Sequence, residues 1–174
     1  MTGETQPLQL ARFGVPPVTS HQSQFTMADT FTLEVVTPAR QVVHEAVNEA
    51  QIPVLGGYIG VLPGHTPLLA EMGIGELSYH VGNRVFSCTA MGGFVEVLSD
   101  RVIVLADIAE RAEEINVARA EAALGRAQKR LAATNDPNVD WKRAEESLKR
   151  AQVRLQVAAK SGASSAASSA AASH

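Results

Sequence analysis

The chain has 174 residues, a formal net charge of −3 at pH 7 and a single cysteine. That length holds one domain, or one domain with an appendage. One cysteine excludes an internal disulfide framework and a cysteine zinc quartet, and no run approaches the roughly 18 apolar residues that cross a bilayer as a helix. The charge is unevenly divided: Met1–Arg111 carries 5 Lys and Arg against 11 Asp and Glu, whereas Ala112–His174 carries 10 against 7. An acidic first module followed by a basic second one points to two different sets of partners.

Residues 1–29 are rich in Pro, Ser, Thr and Gln and show no apolar periodicity, so a disordered extension is expected there. The stretch lacks the charged start and apolar centre of a secretory signal. Met27 is a candidate second translation start, which mass spectrometry of the native protein would test. Phe31, Leu33, Val35 and Thr37 alternate with polar positions, as in a strand with one buried face. Thr37-Pro38-Ala39-Arg40 turns the chain, and Gln41–Val47 and Glu49–Val54 form the next strands. Gly56 to Leu69 holds four glycines and two prolines, which exclude a helix. It reads as a strand, a tight corner carrying His65, and another strand. Gly75–Val81 and Arg84–Ala90 flank Gly82-Asn83, a two-residue hairpin loop. The implied register sets Tyr79 against Phe86 and Leu77 against Cys88 on one face, with His80/Val85 and Ser78/Ser87 on the other. Phe94–Leu98 and Arg101–Leu105 form a second hairpin, with Val95, Val97, Val102 and Val104 on one side and Phe94, Ile103 and Leu105 on the other. Both faces are largely apolar, which predicts central strands. Short strands at this spacing, with no helices between them, predict a β-sandwich over residues 30–111.

The period then changes. Val117, Ala120, Leu124, Ala127 and Leu131 step by three and four, as do Trp141, Ala144, Leu148, Ala151, Leu155 and Ala158. These are two helices with matching seams, in a helical module over residues 112–160. Asn135-Asp136-Pro137-Asn138 separates them, with Asp136 as the expected N-cap and Pro137 at the first helical position. So short a connection makes an antiparallel αα-hairpin. Alanine alternates with leucine along both seams, and each buried Leu supplies only about 1.5–3 kcal/mol. Such a hairpin needs a surface to dock on and has more than one way to dock. Residues 106–114 read equally as a strand end or a helix start. Residues 161–174, nearly all Ala and Ser, read as a low-complexity, disordered or frayed tail.

The chemistry-bearing residues argue against an enzyme. His44, His65 and His80 lack metal-motif spacing, and no serine occupies a Gly-x-Ser-x-Gly elbow. A β-sandwich enzyme with a helical dimerisation arm stays open only through residues gathered from distant strands. The basic helices say more. Arg119, Arg126 and Arg130 form one stripe, and Arg143, Arg150 and Arg154 another. An antiparallel hairpin brings Arg119, Arg150 and Arg154 within about a turn of one another if the stripes face the same way. The alternatives are a solvated basic face, a surface for an acidic protein, or a polyphosphate site, since guanidinium forks suit both anions. Nucleic acid is disfavoured because no aromatics interleave with the charges.

Gly57-Tyr58-Ile59-Gly60-Val61-Leu62-Pro63-Gly64-His65-Thr66-Pro67-Leu68 resembles the signature of the ε subunit of F-type ATP synthases. The resemblance continues in order through Met91–Val97, Val102–Asp107, Ile115–Ala120 and Trp141–Glu145, covering about Thr30 to Lys160. It implies a β-sandwich followed by a two-helix hairpin in a non-catalytic subunit. The partners implied are the γ subunit, the c-ring, and the α and β subunits of the catalytic hexamer. In this family the sandwich joins γ and the c-ring through the corner holding Tyr58 and His65. The hairpin, when extended, presents a basic face to α and β and blocks ATP hydrolysis. Carried over, that face is Arg119, Arg126, Arg130, Arg143, Arg150 and Arg154.

Some bacterial members bind regulatory ATP in the folded state. The matching positions here are Glu110, Asn116, Arg119, Arg126, Arg150 and Arg154. Asn116 stands where the sensing pattern has Asp, so weak or absent ATP binding is expected. Tyr58 stands where many members have an acidic residue toward the c-ring. No required cofactor and no direct membrane insertion are implied. The implied location is peripheral, on the cytoplasmic face of a bacterial inner membrane or the stromal side of a chloroplast thylakoid. A small-molecule sensor, with the hairpin arginines binding nucleotide as the main role, is the alternative reading.

Overall fold

In the computed structural model, residues 30–133 and 140–171 are described, with side chains to residue 160. The expected extension over residues 1–29, and Asp136 and Pro137, lie outside the described residues. Ten strands come first: β1 (Phe31–Val36), β2 (Gln41–Val47), β3 (Glu49–Val54), β4 (Gly57–Val61), β5 (Leu68–Glu71), β6 (Ile74–Val81), β7 (Arg84–Met91), β8 (Phe94–Val97), β9 (Arg101–Leu105) and β10 (Ile108–Arg111). They form two five-stranded sheets, ordered β2-β1-β9-β8-β5 and β10-β7-β6-β3-β4. All pairings are antiparallel except β1 with β9, where Thr32 faces Arg101.

Alternation builds the core between the sheets. Phe31, Leu33 and Val35 of β1 are buried, and so are Val95, Val97, Val102 and Val104 of β8 and β9. Leu77, Tyr79, Cys88 and Ala90 face them from the second sheet. The β6–β7 register is the expected one, with Tyr79 opposite Phe86 and Leu77 opposite Cys88, and the Tyr79 and Phe86 rings stack at 5.5 Å. Burial pushes the Cys88 thiol up to about 12, so it is a buried hydrophobe and not a reactive thiolate. The Thr37–Arg40 turn closes as Thr37 N–H donates to the Arg40 carbonyl at 2.9 Å.

β9 and β8 lie inside their sheet, but their second face is open: Phe94 and Leu105 pair with each other and are 55% and 56% exposed. At the start of β8, Gly93 has φ +88°, and a Cβ there would lie 1.9 Å from the Leu105 carbonyl oxygen. Gly93→Ala is therefore expected to destabilise the sandwich by at least about 1–3 kcal/mol from the backbone conformation alone. The midpoint of urea unfolding would measure it.

The ambiguous stretch resolves into both elements. β10 adds to the edge of the second sheet, a single 3₁₀ turn follows at Ala112–Glu114, and α1 runs Val117–Ala132. α2 runs Trp141–Ala171. Asp140 caps its N-terminus, where Oδ1 accepts from Arg143 N–H at 3.0 Å. It also continues past Lys160 into the Ala/Ser stretch, where low complexity suggested an end to order; alanine is the strongest helix former. The helices pack through Ala120, Ala127, Ala144 and Ala151, all nearly inaccessible, as the small-residue seams require.

Candidate functional site

α2 lies on the outer face of the second sheet, and strand pairing dictates what it meets. Ile108, Met91 and Ile74 form one row across β10, β7 and β6; Glu110, Thr89 and Glu76 form another two residues along. Side chains two apart on a strand share a face, so both rows look out toward α2. Val153 and Val157 pack with Met91, Ala112 and Ile115, flanked by Ile74 and Ala158. This is a second, smaller apolar cluster, separate from the sandwich core.

Polar partners meet the polar row. Arg154 Nε donates to Glu110 Oε2 at 2.5 Å. Glu76, only 7% exposed, accepts from Ser87 Oγ at 2.6 Å, Gln156 Nε2 at 2.9 Å and Lys160 Nζ at 2.7 and 2.8 Å. Burial alone pushes the Glu76 carboxyl up. The hydrogen bonds from Lys160, Ser87 and Gln156, with the Lys160 charge, outweigh that and hold it below the usual carboxylate range. Ahead of α1, Glu114 pairs with Arg40 and accepts from Arg111 N–H at 3.1 Å. The Arg40 hydrogen bond holds its carboxyl low. Arg111 Nε donates to the Val42 carbonyl at 2.8 Å. These contacts fix the segment from which the hairpin departs.

The first turns of α2 stand away from the sandwich. Between them lies an open cleft of about 810 Å³, with Tyr58, Gly73, Gly92 and Asp107 on the sandwich side and Lys142, Lys149 and Arg150 on the helix side. Among the described side chains, contact with the sheet is thus concentrated between Val153 and Lys160.

The singled-out residues fall into three settings. Glu110 and Arg154 come together as an ion pair. Arg150 binds along its own helix, to Glu146 at 3.3 Å and Ser147 at 3.1 Å. Arg119, Arg126, Arg130 and Arg143 are exposed. Asn116 is the N-cap of α1: its Oδ1 accepts from Arg119 N–H at 2.9 Å. Asn116→Ala is expected to cost about 0.5–2 kcal/mol, whereas Asn116→Asp keeps the cap; thermal unfolding of both variants would separate them. His65 occupies the corner after β4, where a carbonyl can only accept, so Nδ1–H donates to the Thr66 oxygen at 2.7 Å. Tyr58 does not sit at that corner. Its hydroxyl lies over Gly75, where a Cβ would be 2.8 Å away, and it lines the cleft beneath α2. Sequence reasoning did not find Glu76, Gln156 and Lys160. The one available signal was the i, i+4 spacing of Val153 and Val157, a second apolar face on α2 besides its seam.

Among the described residues no cluster of His, Cys, Asp and Glu is arranged to hold a metal, and no helix is long and apolar enough to cross a membrane. A β-sandwich with a helical hairpin docked by ion pairs defines a two-module protein. The β-sandwich domain of the ATP synthase delta/epsilon chain matches residues 30–112, and the long α-helix domain of the same chain matches residues 113–159. The chain belongs to the ATP synthase epsilon-chain family. It is 52% identical over 134 residues to the ATP synthase epsilon chain of Solibacter usitatus, covering 77% of this chain and 99% of that one. It is 46% identical over 136 residues to ATP synthase epsilon chain 2 of Syntrophotalea carbinolica, covering 78% and 99%. In fold it is similar to a chain of the Euglena gracilis mitochondrial ATP synthase, with a TM-score of 0.65 and 22% identity over 91% of this chain and 98% of that one.

Proposed function

We propose that this epsilon subunit is a non-catalytic part of the rotor, joining γ to the c-ring, and that its hairpin regulates ATP hydrolysis by leaving the sandwich. The observation that carries the reading is the thinness of the contact. Among the described side chains, α2 is held to the sandwich by one small apolar cluster and two acidic side chains, while its first turns stand off across the cleft. A surface this small leaves the docked and released states within a few kcal/mol, so a partner with differential affinity can choose between them. Docked, Arg154 and Lys160 are occupied by the sandwich. Released, they join the exposed Arg119, Arg126, Arg130 and Arg143 as a basic face for acidic segments of α and β. The exposed outer face of the first sheet, with Leu69, Phe94 and Leu105, suits γ, and the corner at His65 suits the c-ring. The subunit then sits peripherally, on the side of the membrane that carries the catalytic hexamer: the cytoplasmic face in a bacterium.

Nucleotide sensing is the weaker reading. Asn116 already caps α1, Glu110 and Arg154 already bind each other, and Arg150 binds Glu146 and Ser147, so four of the six side chains are engaged within the chain. ATP hydrolysis by a bacterial α/β/γ complex tests the proposal. The full chain should inhibit, and a version ending at Arg111 should bind without inhibiting. Equal inhibition by both would remove the hairpin from the mechanism, and binding by neither would remove the rotor role.

A further inference from the structure

We propose that the cleft between the first turns of α2 and the second sheet binds a small amphipathic anion, an apolar body carrying a carboxylate. The stripe of α2 that turns toward the sheet changes character along the helix. Val153 and Val157 meet the apolar cluster. Lys142, Glu146 and Lys149 precede them at three- and four-residue steps, so they share that face, and they line the cleft. The sheet below them stays apolar. Ile108 extends the row of Ile74 and Met91 to the sheet edge, and Tyr58 lies across the sheet on β4. Ile108 and Tyr58 are both exposed. Gly75 leaves room for the phenol: a Cβ there would lie 2.8 Å from the Tyr58 hydroxyl. Closing the gap directly would press ammonium groups onto this floor, and desolvating a charge without a partner is costly. An amphipathic anion satisfies both walls at once, with its body on the floor and its head at the lysines.

The charge balance sets the sign of the ligand. Arg150 is occupied by Glu146. Among the described residues, Lys142 and Lys149 take part in no ion pair. Glu71 borders the cleft, but it pairs with Phe94 and its side chain shares the outer face of the first sheet. That leaves Asp107, against Gly92, as one carboxylate facing two lysines. The volume of about 810 Å³ is that of a small-molecule site. Of the six positions carried over from nucleotide-binding members, only Arg150 borders it. A ligand that touches both walls binds only while α2 is docked, and so favours the docked hairpin. That consequence alone rests on the regulatory reading above.

The test is equilibrium dialysis of the full chain against labelled laurate below its micelle concentration. Saturable uptake of one laurate per chain is expected, with none of dodecyltrimethylammonium, which has the same tail and the opposite charge. Lys142→Ala with Lys149→Ala should weaken uptake by about tenfold or more, the scale of a lost charge-assisted hydrogen bond. Both lysines are exposed, so the fold should survive. Phe94→Arg with Leu105→Arg, on the opposite face, should leave uptake unchanged. No saturable uptake, equal uptake of the ammonium, or full uptake by the lysine variant would overturn the site. Sedimentation with phosphatidylglycerol vesicles, without uptake of laurate, would replace it with a membrane surface. ATP hydrolysis with and without laurate keeps the two readings apart. Uptake without any change in inhibition upholds the site and defeats its coupling to the hairpin brake.

Discussion

Val157→Asp is expected to release the second helix while leaving both sheets folded. Val157 is fully buried, and its neighbours Met91, Ala112, Ile115 and Val153 offer an aspartate no hydrogen bond and no charge. An ionised carboxylate taken into such a site costs several kcal/mol. That is more than this small contact surface can absorb, so the docking equilibrium should shift toward release by at least about 100-fold. The sandwich core is a separate cluster, so amides of β6 and β7 should remain protected while those of α2 exchange freely. In the hydrolysis assay the variant should inhibit more strongly than wild type, since its basic face is always available. Retained protection of α2 would mean that the docked state rests on polar contacts alone.

The second large effect concerns the opposite side of the molecule. Phe94→Arg with Leu105→Arg is expected to weaken binding to γ by about 100-fold or more, the scale for losing two apolar anchors at the centre of an interface. Both side chains are more than half exposed, and the four valines beneath them carry the packing. The thermal midpoint should therefore move little. They stand in a row with Val36 and Glu71 across β1, β9, β8 and β5, next to the row of Glu34, Ile103, Glu96 and Leu69. An apolar strip between acidic positions asks for a partner with an apolar ridge and flanking cations. Titration of the variant against isolated γ would measure the loss; unchanged affinity would move the γ surface elsewhere on the sandwich.

Most of the fold was legible because it rests on short-range rules. Period-two alternation marks β1, β6, β7, β8 and β9, and Gly82-Asn83 sets a register that the pairing reproduces residue by residue. β10 was not legible: its inward residue is Ala109 and its outward one Ile108, so the pattern of hydrophobicity runs against the pattern of burial. The cap at Asp140 was missed because Asp136-Pro137 satisfies the same rule four residues earlier. The docking site was least legible of all. Glu76 lies far from Lys160 in the chain, and nothing local to either reveals the pairing. It appears only when two rows of a sheet are laid beneath one face of a helix. His65 was placed in its corner by glycine and proline alone, whereas the direction of Tyr58 depended on the cleft left by a helix more than eighty residues later.

The parallel pairing of β1 with β9 bears on how the protein is made. A ribosome releases β1 and β2 first, and together they are a two-stranded ribbon, marginal in water. Their sheet cannot gain its central strand until Arg101–Leu105 has emerged, so the first residues of the sandwich wait for nearly the last. Long-range closure of this kind is slow. Every strand of the sheet that receives α2 nevertheless precedes α2 in the chain, so the pairing of that platform uses no residue of the hairpin.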